Sequence, residues 1–196
     1  MKRILKYILV CALIGGVLIC PAFAEGHFPD VDDYLEYAEA VEYVSELGIM
    51  VGDDQGNFNP YKTVTRAEMA TIICRMLDET ENLPNSTAFT DVPIGHWANT
   101  YVGKATELGI VNGYGGGKFG PSDFVTYEQA VTMIVRAIGY GKDAEDRGGY
   151  PDGFLNLAEN LGLLEGISAQ KNEALSRADI AILLYNYYIP VFLRGE

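Results

Sequence analysis

Five windows of the chain carry apolar residues at helical spacing. Val41, Val44 and Leu47 form one stripe, and Val102, Ala105 and Leu108 form another of the same spacing. Longer stripes run through Met69, Ile72, Ile73, Met76 and Leu77, through Val131, Ile134, Val135 and Ile138, and through Ile180, Leu183, Leu184 and Tyr188. Steps of three and four put such residues on one helical face, so each window predicts an amphipathic helix that must bury that face. Gly48 and Gly109 directly follow the two shorter stripes and read as C-terminal caps.

A repeat orders these windows. Phe28-Pro29-Asp30-Val31 returns as Phe89-Thr90-Asp91-Val92, Leu47-Gly48-Ile49 as Leu108-Gly109-Ile110, and Val64-Thr65-Arg66 as Val125-Thr126-Tyr127, all at an offset of 61 residues without a gap. Gly52, Gly56, Phe58 and Pro60 keep the same register with Gly113, Gly117, Phe119 and Pro121. A shorter third copy opens at Tyr150-Pro151-Asp152, carries Leu161-Gly162-Leu163 and ends in Leu175-Ser176-Arg177-Ala178-Asp179. Helix, glycine-rich loop, helix is therefore written three times, and one unit cannot bury its own stripe. The expectation is a mostly α protein whose three units pack on one another. The predicted limits are 28–78, 89–140 and 150–189, with polar linkers at 79–88 and 141–149.

The start of each second helix carries the most constant chemistry. Thr65 with Glu68, Thr126 with Gln129, and Ser176 with Asp179 each fit a capping pair, in which a hydroxyl and a side chain three residues on satisfy opposite free amides. Arg66 and Arg177 are not explained that way, because a cation in the first turn of an exposed helix costs roughly 0.3–1 kcal/mol. Two readings stand side by side. Each arginine pairs with a nearby carboxylate, or each forms, beside free amides, a receptor for a carboxylate or phosphate. The cap recurs in all three copies and the arginine in two, so on the receptor reading Arg66→Ala is expected to leave stability nearly intact.

Charge and cysteines narrow the class. Lys2, Arg3 and Lys6, an apolar stretch to Cys20 and Ala22-Phe23-Ala24 read as a signal peptide over residues 1–24, rather than a lipidated Cys20 or an uncleaved anchor. Its removal takes the net charge from −13 to −16, a surface that repels nucleic acid and anionic lipid at long range. The mature chain would keep Cys74 alone, so no internal disulfide can form and stability rests on the core.

Several matches to known chemistry fail. Gly115 to Gly120 fits a dinucleotide-binding pattern, but no apolar strand precedes it and its counterpart in the first copy keeps only the central glycine, so it reads as a turn. Placing Gly56 at the sixth position of a calcium loop puts Val51 first and Lys62 last, and neither can ligate as required. His27 and His96 are the only histidines, and the nucleophile and zinc motifs of hydrolases are absent. No metal, cofactor or catalytic residue is expected.

Taken as a set, the Phe-x-Asp-Val start, His96-Trp97-Ala98, Leu-Gly-Ile, the Gly-x-Phe-x-Pro loop and Thr-Arg-Ala-Glu resemble the S-layer homology family over residues 28 to 189. The resemblance implies a pseudo-threefold, three-pronged helical spindle. It also implies a non-catalytic module that holds a secreted protein on the bacterial cell wall by binding a secondary cell-wall polysaccharide, often one with a carboxylate-bearing pyruvyl ketal. By position it assigns ligand contact to Arg66 and Arg177, to Tyr127 where the second copy has lost its arginine, and to Asp30, Asp91 and Trp97. Asp152 matches the same aspartate position in the third copy. Trp97 also reads as core, and the three aspartates also read as ordinary caps. Only Pro190 to Glu196 follow the third copy, so a cargo would be expected to arrive through another protein. A rival reading is an envelope assembly module that meets another protein through Tyr185, Tyr187 and Tyr188, and a weaker one is an enzyme acting on wall glycan.

Overall fold

The computed structural model describes residues 28–189; the signal segment expected at 1–24, with Cys20, and also His27 and residues 190–196 lie outside them. Among the described residues seven helices follow in order: α1 Ala38–Glu46, α2 Arg66–Met76, α3 Asn99–Glu107, α4 Tyr127–Ala137, α5 Gly141–Asp146, α6 Asp152–Asn160 and α7 Arg177–Tyr188. The first two copies contribute α1–α2 and α3–α4, and the third contributes α6–α7. The segment 141–149, expected as a polar linker, instead contains α5, which packs on α4 and α6 through buried Ala144. No helix among the described residues is long and apolar enough to cross a membrane.

Each first helix ends the same way. Gly48, Gly109 and Gly162 take φ of 68°, 69° and 71°, a left-handed turn that costs glycine nothing. The next amide then bonds back five residues: Ile49 N–H to Val44 C=O at 3.0 Å, Ile110 to Ala105 at 2.9 Å and Leu163 to Ala158 at 2.9 Å. That reversal drives Ile49, Ile110 and Leu163 into the core and leaves Leu108 outside it. The predicted stripe Val102, Ala105, Leu108 is corrected accordingly: it continues into Ile110 across the glycine, not into Leu108.

The copies interlock instead of stacking. α2 packs on α3 of the next copy, α4 on α6 of the third, and α7 on α1 of the first, while α2 meets α4 and α4 meets α7 at the centre. That central position is why α2 is buried on nearly every side, from Ala67 to Met76. The segments just before the second helices join in a closed circuit of backbone hydrogen bonds. Val64 N–H donates to Leu175 C=O at 3.0 Å, Leu175 to Val125 at 3.1 Å, and Val125 back to Val64 at 2.9 Å.

Within the first two copies the opening segment closes over the loop. Phe28 and Phe89 pack on Phe58 and Phe119, with ring centroids 5.3 and 5.4 Å apart. A Cβ at Gly52 would stand 2.7 Å from the Phe28 ring, and one at Gly113 2.5 Å from the Phe89 ring, so only glycine admits this approach. Asp30 accepts from the Phe58 and Asn59 amides at 2.8 and 2.6 Å, and Asp91 from Phe119 and Gly120 at 2.9 and 3.0 Å. The third copy lacks this device. Aligned on Leu161-Gly162, Asp152 is the first residue of α6 and pairs with Lys171, so its match to Asp30 and Asp91 does not hold.

The tyrosine-rich end is mostly turned inward. Tyr185 is buried, sits edge-on to Tyr43 at 5.5 Å and donates to Glu39 Oε1 at 2.6 Å, and Tyr188 donates to Met76 C=O at 3.0 Å. Only Tyr187 of the three keeps an exposed ring, so this end offers little of the partner surface expected of it.

Candidate functional site

The second helices begin at the junction between copies, and that is where the expected site residues gather. The first helical amide of each is taken by the neighbouring loop: Arg66 N–H donates to Asp123 C=O at 2.8 Å, Tyr127 to Glu173 at 2.8 Å and Arg177 to Lys62 at 2.9 Å. These amides are therefore not available to an anion. Thr65 with Glu68 and Ser176 with Asp179 form reciprocal capping boxes. Thr126 with Gln129 does not: Thr126 makes no side-chain cap and its buried Oγ1 has no partner, because Gln129 Oε1 accepts instead from Arg66 Nη1 at 3.1 Å.

Arg66 belongs to the interior. It is 4 % exposed, donates from Nε to Phe119 C=O at 2.9 Å and from Nη2 to Asn112 C=O at 2.8 Å, and lies between the Tyr114 and Phe119 rings with centroids at 4.4 and 4.6 Å. Burial pushes its pKa down, and the surrounding Tyr114 and Asp123 push back. The expectation that Arg66→Ala is nearly silent for stability is overturned: the side chain pins α2 to the loop and helix of the next copy, and its loss would leave carbonyls unsatisfied.

Arg177 makes the matching reach into the first copy's loop, donating from Nε to Phe58 C=O and from Nη2 to Val51 C=O, both at 2.7 Å, with the Phe58 ring 4.4 Å away. It is only partly buried, and its Nη1 has no partner among the described residues. A cleft of about 120 Å³ opens beside it, lined by Val51, Glu68, Ile72, Arg75 and Trp97. The Arg75 side chain makes no hydrogen bond or ion pair among the described residues, and its charge lies near enough to oppose that of Arg177. Glu68 is already spent: Oε1 accepts from Lys62 at 2.9 Å and Oε2 from the Thr65 amide at 2.8 Å. Trp97, for which both ligand contact and core were expected, is 60 % exposed, walls this cleft and stacks on His96. The Ala-Asn pair that follows fills the interior in its place, with Ala98 and Asn99 both buried.

A larger cleft of about 350 Å³ adjoins Arg66, lined by Asn112, Tyr114, Gln129, Thr132, Arg136 and Tyr150. It repeats the first in register, with Gln129 for Glu68, Thr132 for Thr71, Arg136 for Arg75 and Tyr150 for Trp97. Sequence reading missed Arg75, Arg136 and Tyr150. The two arginines lie nine positions after Arg66 and Tyr127 in successive copies, a recurrence that the offset of 61 residues does contain. At the third junction both cations are replaced. Tyr127 stands at the helix start, and Asn186, in the place of Arg75 and Arg136, donates to the Leu163 and Glu165 carbonyls at 2.9 and 2.8 Å. Asp30 and Asp91 line neither arginine cleft, and their oxygens face the loop amides already described.

Other reactive groups are muted. Cys74 is buried, and burial pushes its thiol up to about 11. Among the described residues no group of histidine, cysteine and carboxylate side chains could hold a metal ion. The glycine-rich loop closes as a tight turn, Tyr114 N–H donating to Lys118 C=O at 2.9 Å, and Asp53 is occupied by the Gln55 and Asn57 amides at 2.9 Å.

Comparison with known proteins agrees with this architecture. The S-layer homology domain model matches residues 27–70 and 88–131. A cell surface protein of Thermoanaerobacter kivui is 34 % identical over 188 residues, covering 94 % of this chain and 24 % of its own length. A surface layer protein of Brevibacillus choshinensis is 35 % identical over 175 residues, covering 86 % and 15 %. A middle cell wall protein of Brevibacillus brevis is 33 % identical over 195 residues, covering 95 % and 18 %. The chain thus spans a quarter or less of the length of these relatives. With tandem matches in the first two copies and relatives aligned along nearly all of it, the chain belongs to the S-layer homology domain family.

Proposed function

We propose that the chain is a non-catalytic module of a secreted protein and holds it on the bacterial cell wall by gripping an anionic wall polysaccharide non-covalently. The relatives, named as surface layer and cell wall proteins, support the location. The observation that supports the chemistry is the Arg177 cleft. The Arg75 side chain there is without a partner among the described residues, Arg177 keeps Nη1 unbonded, and Trp97 supplies an exposed ring beside them. Two guanidinium groups grip a carboxylate through charge-assisted hydrogen bonds, and an indole face takes the apolar face of a sugar. A pyruvyl ketal on an amino sugar presents that combination. The protein's net negative charge does not prevent it, because screening over about 8 Å at physiological salt isolates a local pair of cations.

The test is sedimentation of the full chain with purified walls before and after acid removal of ketals. Retention should fall sharply after ketal removal, and also for the Arg75→Ala, Arg177→Ala double variant on untreated walls. Unchanged retention in both would sink the proposal, and release of reducing sugar during incubation would turn the assignment towards an enzyme.

A further inference from the structure

The exposed indole of Trp97 is held by a contact that the other copies lack. His96 Nδ1 accepts the Ala98 N–H at 3.1 Å, and its ring stacks on the indole with centroids 5.7 Å apart and planes 28° from parallel. The bond runs from residue 96 to residue 98, so it spans Trp97 alone and closes a small ring through its backbone. Fixed backbone and stacked ring together keep the indole where it walls the cleft of Arg75 and Arg177. A side chain that is 60 % exposed has little packing to do so otherwise.

This clasp is not a requirement of the fold. The turn around it has His96 N–H donating to Pro93 C=O at 2.7 Å and Asn99 N–H to His96 C=O at 2.9 Å. The first copy makes the same turn, Leu35 to Asp32 at 3.0 Å and Ala38 to Leu35 at 2.9 Å, with leucine where the imidazole stands. Beside Tyr150, the aromatic of the other arginine cleft, Gly149 precedes and Pro151 follows, so acceptor side chain and amide are both missing. Among the three copies the acceptor thus occurs only where an aromatic ring stands beside Arg75 and the unbonded Nη1 of Arg177.

The acceptor is also titratable. A protonated imidazole carries hydrogen on both nitrogens and cannot accept, so the ring must turn away from Ala98. Ala98 is fully buried, and its amide would lose its partner. The charged groups around Trp97 are Glu68 and Arg75 on α2 and Arg177 on α7. Against the pull of burial, Glu68 is held below the ordinary carboxylate range by the Thr65 amide and Lys62, and arginine keeps its proton in proteins. None of the three therefore changes charge near neutrality. The new imidazolium would attract a ligand anion, but screening at the surface leaves that weaker than the loss of a buried amide's partner.

Resting on the proposed binding of an anionic glycan, we infer that His96 is the positioning residue of this cleft: its unprotonated Nδ1 fixes Trp97 in place, and protonation of that one imidazole loosens the grip on the glycan.

The full chain is followed from about pH 8 to about pH 5 by the NMR signals of its histidines, by tryptophan emission without ligand, and by retention on purified walls. Trp97 is the sole tryptophan, so emission reports this indole alone. It should move with the His96 signal, identified by its absence in His96→Asn, and retention should weaken about fivefold over the same transition. Asparagine offers an acceptor oxygen to the amide two residues on and does not titrate. His96→Asn should therefore match the parent at neutral pH and lose the pH dependence of both readouts. His96→Phe, which keeps a ring without the acceptor, should bind at every pH as the parent does in acid. Emission that ignores the His96 titration, retention that stays flat while emission moves, a His96→Asn variant that still follows pH, or a His96→Phe variant equal to the parent at neutral pH would overturn the inference. Absence of retention for the parent at every pH would instead sink the anionic reading, and the ligand-free emission would still decide whether His96 holds Trp97.

Discussion

Arg66 and Arg177 occupy the same place in two copies and reach the same loop carbonyls, but one is sealed at every nitrogen while the other faces an open cleft. The difference traces to the residue three positions into the next second helix around the ring. Where that residue is Glu68, its carboxylate closes its own helix cap and pairs with Lys62, leaving Arg177 with an unbonded Nη1. Where it is Gln129, the neutral amide abandons the cap, turns to Arg66 and orphans Thr126. One acid-to-amide exchange thus separates an arginine that faces an open cleft from one that is sealed into the structure.

That contrast can be broken first at the arginines. Arg66→Ala should cost about 3 kcal/mol of stability, since it strands several buried acceptors, and Arg177→Ala about half as much because solvent can reach its partners. Thermal melts of the two variants check the ranking, and equal losses would erase the distinction.

Acid should come next. Burial works to raise the pKa of Asp91 and Glu68, but the amides and Lys62 that they bind outweigh it and hold both below the ordinary carboxylate range. A carboxylate depressed in the folded state stabilises fully above its unfolded pKa of about 4, and that contribution disappears as pH falls further. The melting temperature should therefore drop below about pH 4. Glu68→Gln, which makes this cleft resemble its neighbour, should flatten the drop.

The caps differ by less. Thr65→Ala should cost about 1 kcal/mol, whereas Thr126→Val, replacing a hydroxyl that caps nothing, should leave the melting temperature unchanged or slightly raised. The smallest effect is expected for Arg75→Ala, within about 0.5 kcal/mol by thermal melt. The same variant should lose wall retention, which would separate ligand contact from structural support.

Much of the fold was legible in the sequence because it is written locally. Helical spacing, the glycine after each first helix and the gapless offset of 61 residues specify the elements and the first two copies. The Thr126 cap failed because local rules see a hydroxyl and an amide three residues apart, while the competitor, Arg66, comes from 63 residues away in sequence. Arg66 itself was misread for the same reason, since a helix start looks exposed until a neighbouring loop is laid over it. The third copy misled through its tyrosine. Tyr150-Pro151-Asp152 resembles the Phe-x-Asp opening, yet Tyr150 lies two residues before α6 just as Trp97 lies two before α3, which makes it the cleft aromatic. Trp97 carried two readings, ligand contact and core, and the core reading fails because Ala98 and Asn99 satisfy the interior there and free the indole for solvent.

The circuit of bonds linking Val64, Leu175 and Val125 also bears on how the molecule comes together in time. An open array of repeats can fray from its last unit, but a ring has no last unit, and opening it anywhere exposes two packed faces at once. Its closing seam joins α1 to α7, the first and last helices among the described residues, so the most distant of them must meet before the ring is closed. Folding should consequently be slow for so helical a protein and concerted across all three copies, with no stable piece left when α7 is removed.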